Sequence, residues 1–247
     1  MVKDTKIYIS YNQVHQLIKD AVERFHISDV FKPDLMIAIG GGGFIPARIL
    51  RTFLKQQNNK NMPIQAIGLS LYEDIDIDPS LINNLSSSST SPDALSTIGT
   101  QVIKTQWLHF GDSSPSLAST TSSKLTNKRN LLGKNILIVD EVDDTRTTLA
   151  YAIQELLKDI EEEKLGYIQT INNKDNDSKI PETKLAVFVL HNKIKEKKIE
   201  LPDPTILSEN RYFAAKETPD RWLVYPWEVV DIEEHTRKSL EQEDEDY

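Results

Sequence analysis

Cysteine is absent from the 247-residue chain, which excludes disulfides, thiolate metal sites and a cysteine nucleophile. Dense runs of lysine and arginine are also missing, and the formal net charge is −9, so we expect no nucleic-acid or anionic-membrane surface. No apolar run reaches the length of a membrane span, and residues 1–9 lack the apolar region of a signal peptide. These absences predict a cytoplasmic protein that binds neither nucleic acid nor membrane.

Apolar residues follow two spacings along the chain. Residues 14–25 carry them at helical spacing, after a Ser10 and Gln13 pair typical of a capping box. Short continuous apolar runs, typical of strands buried on both faces, lie at 35–39, 64–71, 136–139 and 185–190. Helical patterns follow the first and third runs, at 47–54 and 149–160. Strands that alternate with helices predict an α/β fold, with a mainly parallel twisted sheet flanked by helices.

Two segments rich in serine and threonine interrupt this order, at 85–97 and 112–126. They have few side chains able to anchor a core, and they predict mobile surface loops within an insertion of about residues 72–128. Between them, residues 101–110 regain apolar and aromatic content and are expected to fold back onto the sheet. The organisation expected is a core over 1–200, a smaller C-terminal segment over 201–240 and a disordered acidic tail over 241–247.

The segment 136–149, ILIVDEVDDTRTTL, combines a buried strand, adjacent carboxylates, a loop with hydroxyls and a helix start. Backbone N–H groups and the positive end of a helix suit a phosphate at such a loop. Asp140 and Glu141 can accept hydrogen bonds from two neighbouring sugar hydroxyls, so a ribose 5-phosphate would meet both features. The alternative is an acidic loop that caps a helix through Asp144 or Thr145 and binds no ligand.

A run of four glycines follows the first predicted strand, in the segment 39–48, IGGGGFIPAR. Glycine lets the backbone approach a ligand closely and adopt conformations closed to other residues. A tight turn without a ligand is one alternative. A dinucleotide-binding fingerprint is another, but Ile45 stands where G-x-G-x-x-G requires its third glycine.

The pattern of 136–149 resembles the PRPP-binding motif of the type I phosphoribosyltransferases. The resemblance implies that Asp140 and Glu141 bind the ribose and shape the outer shell of Mg²⁺. It also implies that Asp144 is the catalytic base, facing N7 of a purine. The residues implied for the 5-phosphate are Asp144, Thr145, Arg146, Thr147 and Thr148. Arg146 departs from the motif, because many family members have glycine there.

The glycine run resembles the pyrophosphate-binding loop of the 6-oxopurine phosphoribosyltransferases, in which a non-proline cis peptide exposes backbone amides. The resemblance implies a cis bond between Gly40 and Gly41. The residues implied for pyrophosphate are Gly40, Gly41, Gly42, Gly43 and, near the C-terminus, Arg237. A surface helix charge is an equally good interpretation of Arg237.

Segments along nearly the whole chain are similar to the fungal hypoxanthine-guanine and xanthine phosphoribosyltransferases. They are 8–12 (YISYN), 71–74 (LYED), 105–107 (TQW), 189–193 (VLHNK), 212–215 (YFAA), 219–222 (PDRW) and 225–228 (YPWE). The serine-rich stretches are the main part without a match, and they fall where these enzymes carry a flexible lid. The resemblance implies the type I phosphoribosyltransferase fold, a C-terminal hood over the base at 201–240, and a homodimer.

The purine-binding residues implied by the resemblance lie in the hood and at the end of a strand. Trp222 would stack on the purine, while Leu223 and Val224 would offer backbone groups to its pyrimidine edge. Either His191 or Lys193 would donate to O6, and the alignment does not decide between them. The alternatives are core packing for Trp222 and a solvated strand end for the other two.

The reaction implied is transfer of the phosphoribosyl group of PRPP to N9 of a 6-oxopurine in purine salvage, with Mg²⁺ and release of pyrophosphate. Glu228 would hold a water on the Mg²⁺. Residues 61–70 and 231–236 look closer to the fungal xanthine enzymes, which favours xanthine over hypoxanthine or guanine. A non-catalytic PRPP-sensing regulator of the same fold is the rival class. The hood-like segment and the absence of a basic patch count against it.

Overall fold

The computed structural model describes residues 6–54, 61–71, 102–108, 131–172 and 180–243. Its strands are β1 (Lys6–Tyr8), β2 (Leu35–Gly40), β3 (Ile64–Leu71), β4 (Val102–Gln106), β5 (Asn135–Asp143), β6 (Lys184–Ile194), β7 (Tyr212–Pro219) and β8 (Trp222–Val224). Its helices are α1 (Tyr11–Phe25), α2 (Ile27–Val30), α3 (Phe44–Phe53), α4 (Thr147–Asn172), α5 (Thr205–Ser208) and α6 (Ile232–Glu243).

Six strands form one sheet in the order β4-β3-β2-β5-β6-β7. All neighbours pair in parallel except the edge strand β4, which is antiparallel to β3. The continuous apolar runs explain this arrangement, since residues 35–39 and 136–139 are all buried and a parallel sheet is covered on both faces. The predicted α/β fold with a mainly parallel sheet is confirmed.

Alternate side chains of the central strands enter two apolar clusters, one on each face of the sheet. The first cluster is covered by α1 and α3 and includes Met36, Ala38, Leu137 and Val139. The second is covered by α4 and includes Ile37, Ile39, Ile136 and Ile138. Because both faces are covered, ligands of this kind of sheet bind at the carboxyl ends of its strands.

Helix α1 begins where the sequence predicts. The Ser10 N–H donates to Oε1 of Gln13 at 2.6 Å, and the Gln13 N–H donates to Oγ of Ser10 at 3.3 Å. This reciprocal pair is the predicted capping box. The helix buries Val14, Ile18 and Ala21 against the first apolar cluster.

A smaller unit lies beside the main sheet, built from the parallel pair β1 and β8 and from helix α6. It contains part of the segment expected to form the hood. The same segment, 201–240, also supplies β7 to the main sheet, because Phe213 and Ala215 are buried in the first apolar cluster. Helix α6 continues through Glu243, three residues into the predicted tail, and residues 244–247 lie outside the described part of the chain.

Within the predicted insertion, residues 102–106 form β4 and pair with β3, as expected from their apolar content. The remainder of the insertion, over 72–101 and 109–128, lies outside the described residues, and the lid prediction falls there. Across the ranges that the structure describes, none of the helices is both long enough and apolar enough to cross a bilayer.

Candidate active site

A cavity of about 460 Å³ lies at the carboxyl ends of β2, β3 and β5. Its lining includes Gly40, Gly41 and Gly42 from the glycine loop, Leu69 and Ser70 from β3, and all of residues 140–149. The two motifs that the sequence separates by about a hundred residues therefore border one space. This position matches the general ligand site of open α/β sheets.

The glycine loop between β2 and α3 packs too closely for side chains at three of its positions, since a Cβ atom on Gly40 would lie 2.6 Å from Cζ of Phe44. A Cβ atom on Gly42 would lie 1.9 Å from Cδ of Glu141, and one on Gly43 would lie 2.4 Å from the carbonyl oxygen of Val139. Gly41 has open space at the corresponding place and borders the cavity. The peptide bond between Gly40 and Gly41 is cis, as the resemblance implied.

Asp140 and Glu141 lie near the end of β5, against the glycine loop. Burial raises the pKa of Asp140 well above its ordinary value, and the charge of Glu141 adds to the rise. Burial also raises the pKa of Glu141 to about 7, although the indole N–H of Trp227 donates to its Oε2 at 2.9 Å. Glu228 adds repulsion to this second shift. Two desolvated, neighbouring carboxylates of this kind are stabilised by a bound cation.

These carboxylates fit Mg²⁺ bound together with a substrate. Mg²⁺ prefers oxygen ligands and is usually held by one or two carboxylates plus substrate phosphates and water. Among the described residues, no group of three or more His, Cys, Asp or Glu side chains could hold a metal on its own. The donor set therefore matches a cation that arrives with a phosphate-containing ligand.

The turn between β5 and α4 presents hydroxyl groups at the start of a helix. Oγ1 of Thr145 and Oγ1 of Thr147 lie 3.0 Å apart, and Thr148 also borders the cavity. Arg146, between the first two, has a φ of 70°. This left-handed conformation suits glycine best, which gives a physical reason for the glycine found there in many family members. The N-terminus of α4 adds N–H groups and a positive partial charge that favour an anion.

The carboxylate of Asp144 borders the cavity and contacts two lysines. Nζ of Lys193 donates to Oδ2 at 3.0 Å, and Nζ of Lys195 lies 2.7 Å from Oδ1. Burial alone would raise the pKa of Asp144, but the hydrogen bonds from Lys195 and Lys193 outweigh it, and the pKa is lowered. Asp144 is therefore ionised at neutral pH and is able to accept a proton.

Lys195 belongs to no recognised motif, and Asp220 lies in the matched segment 219–222 without an assigned role, yet the structure brings both to this group. Oδ1 of Asp220 lies 3.1 Å from Nζ of Lys195 and 3.6 Å from Nζ of Lys193. The two lysines thus connect Asp144 with the C-terminal segment. The available signal was the alternation of lysines at 193, 195 and 197, because side chains two residues apart share one face of a strand.

The residues expected in the hood lie outside the lining of the cavity. Trp222 is 68% exposed on β8, so it is not part of the core. Leu223 is buried in the first apolar cluster, and the carbonyl oxygen of Val224 accepts the Ile9 N–H at 3.0 Å. Of the three, Trp222 has the exposed ring that a stacking role requires.

His191 is fully buried, with Nδ1 2.9 Å from the hydroxyl of Tyr225. Burial, with a smaller effect of Lys216, lowers the pKa of His191 to about 3, so the ring is neutral. The Tyr225 hydroxyl donates to the carbonyl oxygen of Glu141 at 3.2 Å, and its ring stacks on Trp227. These contacts connect His191 to the backbone of the acidic pair.

Glu228 and Arg237, the remaining residues that the resemblance places in the site, lie in different surroundings. Glu228 accepts the Tyr225 N–H at 3.4 Å and lies close enough to Glu141 to raise the pKa of that group. Arg237 lies on α6, where it pairs with Glu234 at 2.7 Å and also with Glu241. The Arg237 side chain is more than half exposed. The structure therefore brings Glu228 to the acidic pair and leaves Arg237 in a surface network of helix charges.

The chain is 46% identical over 236 residues to xanthine phosphoribosyltransferase 1 of Saccharomyces cerevisiae, and the match covers 96% of each protein. It is 47% identical over 245 residues to the hypoxanthine-guanine phosphoribosyltransferase of the same yeast, covering 98% of this chain and 94% of the relative. The chain belongs to the purine phosphoribosyltransferases. None of the protein-family models searched matches it.

Solved structures share the fold of this chain. The crystal structure of a hypothetical protein from Neisseria gonorrhoeae with bound ppGpp superposes with a TM-score of 0.60 and 33% identity, covering 96% of both chains. The fold of the present chain is that of the type I phosphoribosyltransferases.

For a purine phosphoribosyltransferase built in this way, we expect Gly42→Ala to raise the KM for PRPP about 5- to 150-fold. The added methyl group would overlap the Glu141 carboxyl group, and overpacking of this kind costs about 1–3 kcal/mol. The measurement is initial rate against PRPP concentration.

Gly166→Ala is the matched control for this prediction. Gly166 lies inside α4 with open space around its Cβ position, so alanine there should stabilise the chain by about 0.5–1 kcal/mol without changing the kinetics. Equal KM values for both variants and the parent would show that the contact between Gly42 and Glu141 does not shape the PRPP site.

Proposed function

We propose that this protein transfers the 5-phosphoribosyl group of PRPP to N9 of a 6-oxopurine, with xanthine favoured, and releases pyrophosphate. The observation that carries the proposal is the single cavity bordered by Gly40–Gly42 and by residues 140–149. Those two segments offer amides for pyrophosphate, carboxylates for ribose and a hydroxyl-rich helix start for the 5-phosphate. Membership in the purine phosphoribosyltransferases supports the same reaction.

In the reaction, the bond between C1′ and the pyrophosphate oxygen breaks while a bond forms between C1′ and N9 of the purine. The sugar acquires positive charge, so the site must hold the ribose and the leaving group in place. Asp140 and Glu141 would accept hydrogen bonds from the ribose hydroxyls. Amides of the glycine loop would stabilise the departing pyrophosphate. Mg²⁺, when bound with PRPP near Asp140, Glu141 and Glu228, supplies charge neutralisation for the phosphates.

The proton released by the purine goes to Asp144 in this proposal. Its carboxylate is ionised at neutral pH and borders the cavity, so it can accept the N7 proton at hydrogen-bond distance as N9 attacks. Nζ of Lys193, 3.0 Å from Asp144, is the donor that we assign to O6. His191 is the weaker candidate, because its ring is buried and bonded to Tyr225.

The hood would complete the base site. Trp222 would stack on the purine with its exposed ring, and the backbone of Leu223 and Val224 would face the substituent at C2. Hypoxanthine, guanine and xanthine differ there, in having hydrogen, an amino group or a carbonyl. A buried polar group that lacks its partner is costly, so the backbone of this segment sets the preference. For Arg237 to contact pyrophosphate, its ion pairs with Glu234 and Glu241 would have to break when the substrate binds.

The test is an initial-rate panel with PRPP, Mg²⁺ and one of xanthine, hypoxanthine, guanine or adenine. We expect the highest kcat/KM with xanthine, lower values with hypoxanthine and guanine, and no product with adenine. A parallel series with EDTA should abolish turnover. Hypoxanthine or guanine above xanthine would overturn the preference, and no nucleotide from any 6-oxopurine would overturn the reaction.

The remaining assignments concern the state of the protein in the cell. We propose that it is a cytoplasmic homodimer, which sedimentation of the purified protein and a fluorescent fusion would test separately. A PRPP-sensing regulator is the second candidate function, and PRPP binding without turnover would favour it.

A further inference from the structure

A buried group of polar side chains lies behind the loop that joins β5 to α4. Asp143 is 1% exposed, and its Oδ2 accepts the Tyr212 hydroxyl at 2.6 Å and Nε of Arg146 at 2.9 Å. The Arg146 guanidinium also lies over the Tyr212 ring, 5.5 Å from its centroid. These three residues come from β5, the loop and β7. The group therefore ties the loop to a strand two places away in the sheet.

The Arg146 contacts hold a backbone conformation that arginine seldom adopts. A φ of 70° costs a residue with a side chain about 1–2 kcal/mol relative to glycine. The Arg146 side chain is only 10% exposed, and its guanidinium is directed to Asp143 and Tyr212. Its side chain thus helps to fix the turn at the position where the chain bends into α4.

Lys197 and Lys198, just beyond β6, bind the same loop through its carbonyl groups. Nζ of Lys197 donates to the carbonyl oxygens of Asp143 at 2.7 Å and of Asp144 at 3.1 Å. The Lys198 N–H donates to the carbonyl oxygen of Thr145 at 3.1 Å. Three successive carbonyls of the loop are therefore directed to one neighbouring segment.

The direction of these carbonyls fixes the direction of the amides. In a trans peptide the C=O and the following N–H point to opposite sides. The N–H groups of Asp144, Thr145 and Arg146 consequently point away from Lys197 and Lys198, and all three residues border the cavity. Successive backbone N–H groups that share a side form a concave site for an anion.

The side chains behind the loop also carry a favourable charge. Arg146 and Lys197 are cations, while Asp143, with Oδ1 3.6 Å from Nζ of Lys197, supplies one negative charge. The formal charges of these three side chains sum to one positive charge under the loop. That charge favours a phosphate on the opposite side, and its effect is larger in a buried site than in water.

We propose that Asp143, Arg146, Tyr212 and Lys197 are positioning residues that set the amides of residues 144–146 to receive the 5-phosphate of PRPP. The inference rests on the proposed function, because it takes PRPP as the ligand of the cavity. None of the four needs to touch the reacting atoms. They act by holding the loop in its binding shape before the ligand arrives.

The experiment compares Tyr212→Phe, Arg146→Gly and Lys197→Met with Tyr151→Phe as the matched control. Tyr151 and Tyr212 pack against the same apolar cluster, but Tyr151 lies on α4 away from the lining of the cavity. The readouts are the PRPP dissociation constant by calorimetry without purine, the KM for PRPP and for the purine, and the thermal midpoint.

Tyr212→Phe and Lys197→Met each remove a donor to a buried acceptor, a loss of about 1–3 kcal/mol, which corresponds to a weakening of PRPP binding of about 5- to 150-fold. Arg146→Gly removes the guanidinium and relieves the backbone at φ 70°, so a loss of PRPP affinity in this variant does not come from added backbone strain. We expect Arg146→Gly to bind PRPP more weakly than the parent, while its KM for the purine stays within about twofold of the parent value. Tyr151→Phe should leave both constants unchanged.

A double variant separates positioning from general destabilisation. Tyr212→Phe and Arg146→Gly act on the same carboxylate, so their combined effect on PRPP binding should be smaller than the sum of the two. PRPP affinities within twofold of the parent in all three single variants, whatever their thermal midpoints, would overturn the proposal. If the parent binds PRPP without forming any nucleotide, the proposed function fails, while the dissociation constants still decide the positioning role.

Discussion

Asp144→Asn should lower kcat about 10²- to 10⁴-fold while the affinity for PRPP changes little. Asparagine keeps the shape and hydrogen bonding of the side chain but cannot take the purine proton. The carboxylate matters most in the transition state, where N7 becomes acidic as N9 bonds to C1′. Steady-state rates with xanthine and a PRPP binding isotherm are the measurements.

The two lysines on Asp144 require a control of their own. Asp144→Asn also removes the ion pairs with Lys193 and Lys195, and the loss of these pairs is a second source of lowered activity. Lys195→Met breaks one of these pairs and keeps the base, and it should reduce kcat by less than about tenfold. If Asp144→Asn kept the activity and thermal midpoint of the parent, Asp144 would be only a polar group at the helix start, where asparagine serves as well.

Replacing Asp140 with asparagine and Glu141 with glutamine should raise the KM for PRPP by about 10²-fold or more, since each hydrogen bond to a charged group is worth about 1.5–3 kcal/mol. The same replacements should increase the stability of the folded chain. Burial raises the pKa of both carboxyl groups, so their ionised forms cost the folded chain free energy.

The pH dependence of stability supplies the sharper part of this test. Because the folded pKa of Glu141 is raised from 4.5 to about 7, its ionisation destabilises the protein as the pH rises through that interval. Glu141→Gln should therefore raise the thermal midpoint at pH 8 and have little effect at pH 4. Glu161→Gln, at an exposed acid of α4, is the control. Unchanged PRPP saturation in the double variant would remove the acidic pair from the site.

Much of the fold was predictable because local rules and burial agreed. The apolar runs 35–39 and 136–139 are too continuous for a half-exposed strand, and both became central strands of the parallel sheet. The capping box at Ser10 and Gln13 formed as predicted, since it depends on contacts three residues apart. The boundary between the core and the C-terminal segment, expected at residue 200, was harder to predict. The apolar side chains of β7 are few, and their burial depends on the neighbouring strand β6.

The candidate site was also predictable only in part. Asp140, Glu141 and the glycine loop could be named because each follows a continuous apolar run, and the carboxyl ends of parallel strands meet at one edge. Asp144 was named from the resemblance to the family motif. The contact between Trp227 and Glu141, and the burial of His191 against Tyr225, carried no sequence pattern. They depend on how the C-terminal segment crosses the edge of the sheet.

The sequence by itself determined the α/β order of the chain, its resemblance to the family and the two segments that border the cavity, because periodicity and short motifs are local properties. Only the tertiary structure decided which distant side chains support them. Tyr212 and Asp143 are 69 residues apart and meet through a 2.6 Å hydrogen bond, and Lys197 reaches the carbonyl of Asp143 from 54 residues away. Such contacts follow from strand order, register and the left-handed turn at Arg146, which are set when the two faces of the sheet are buried together.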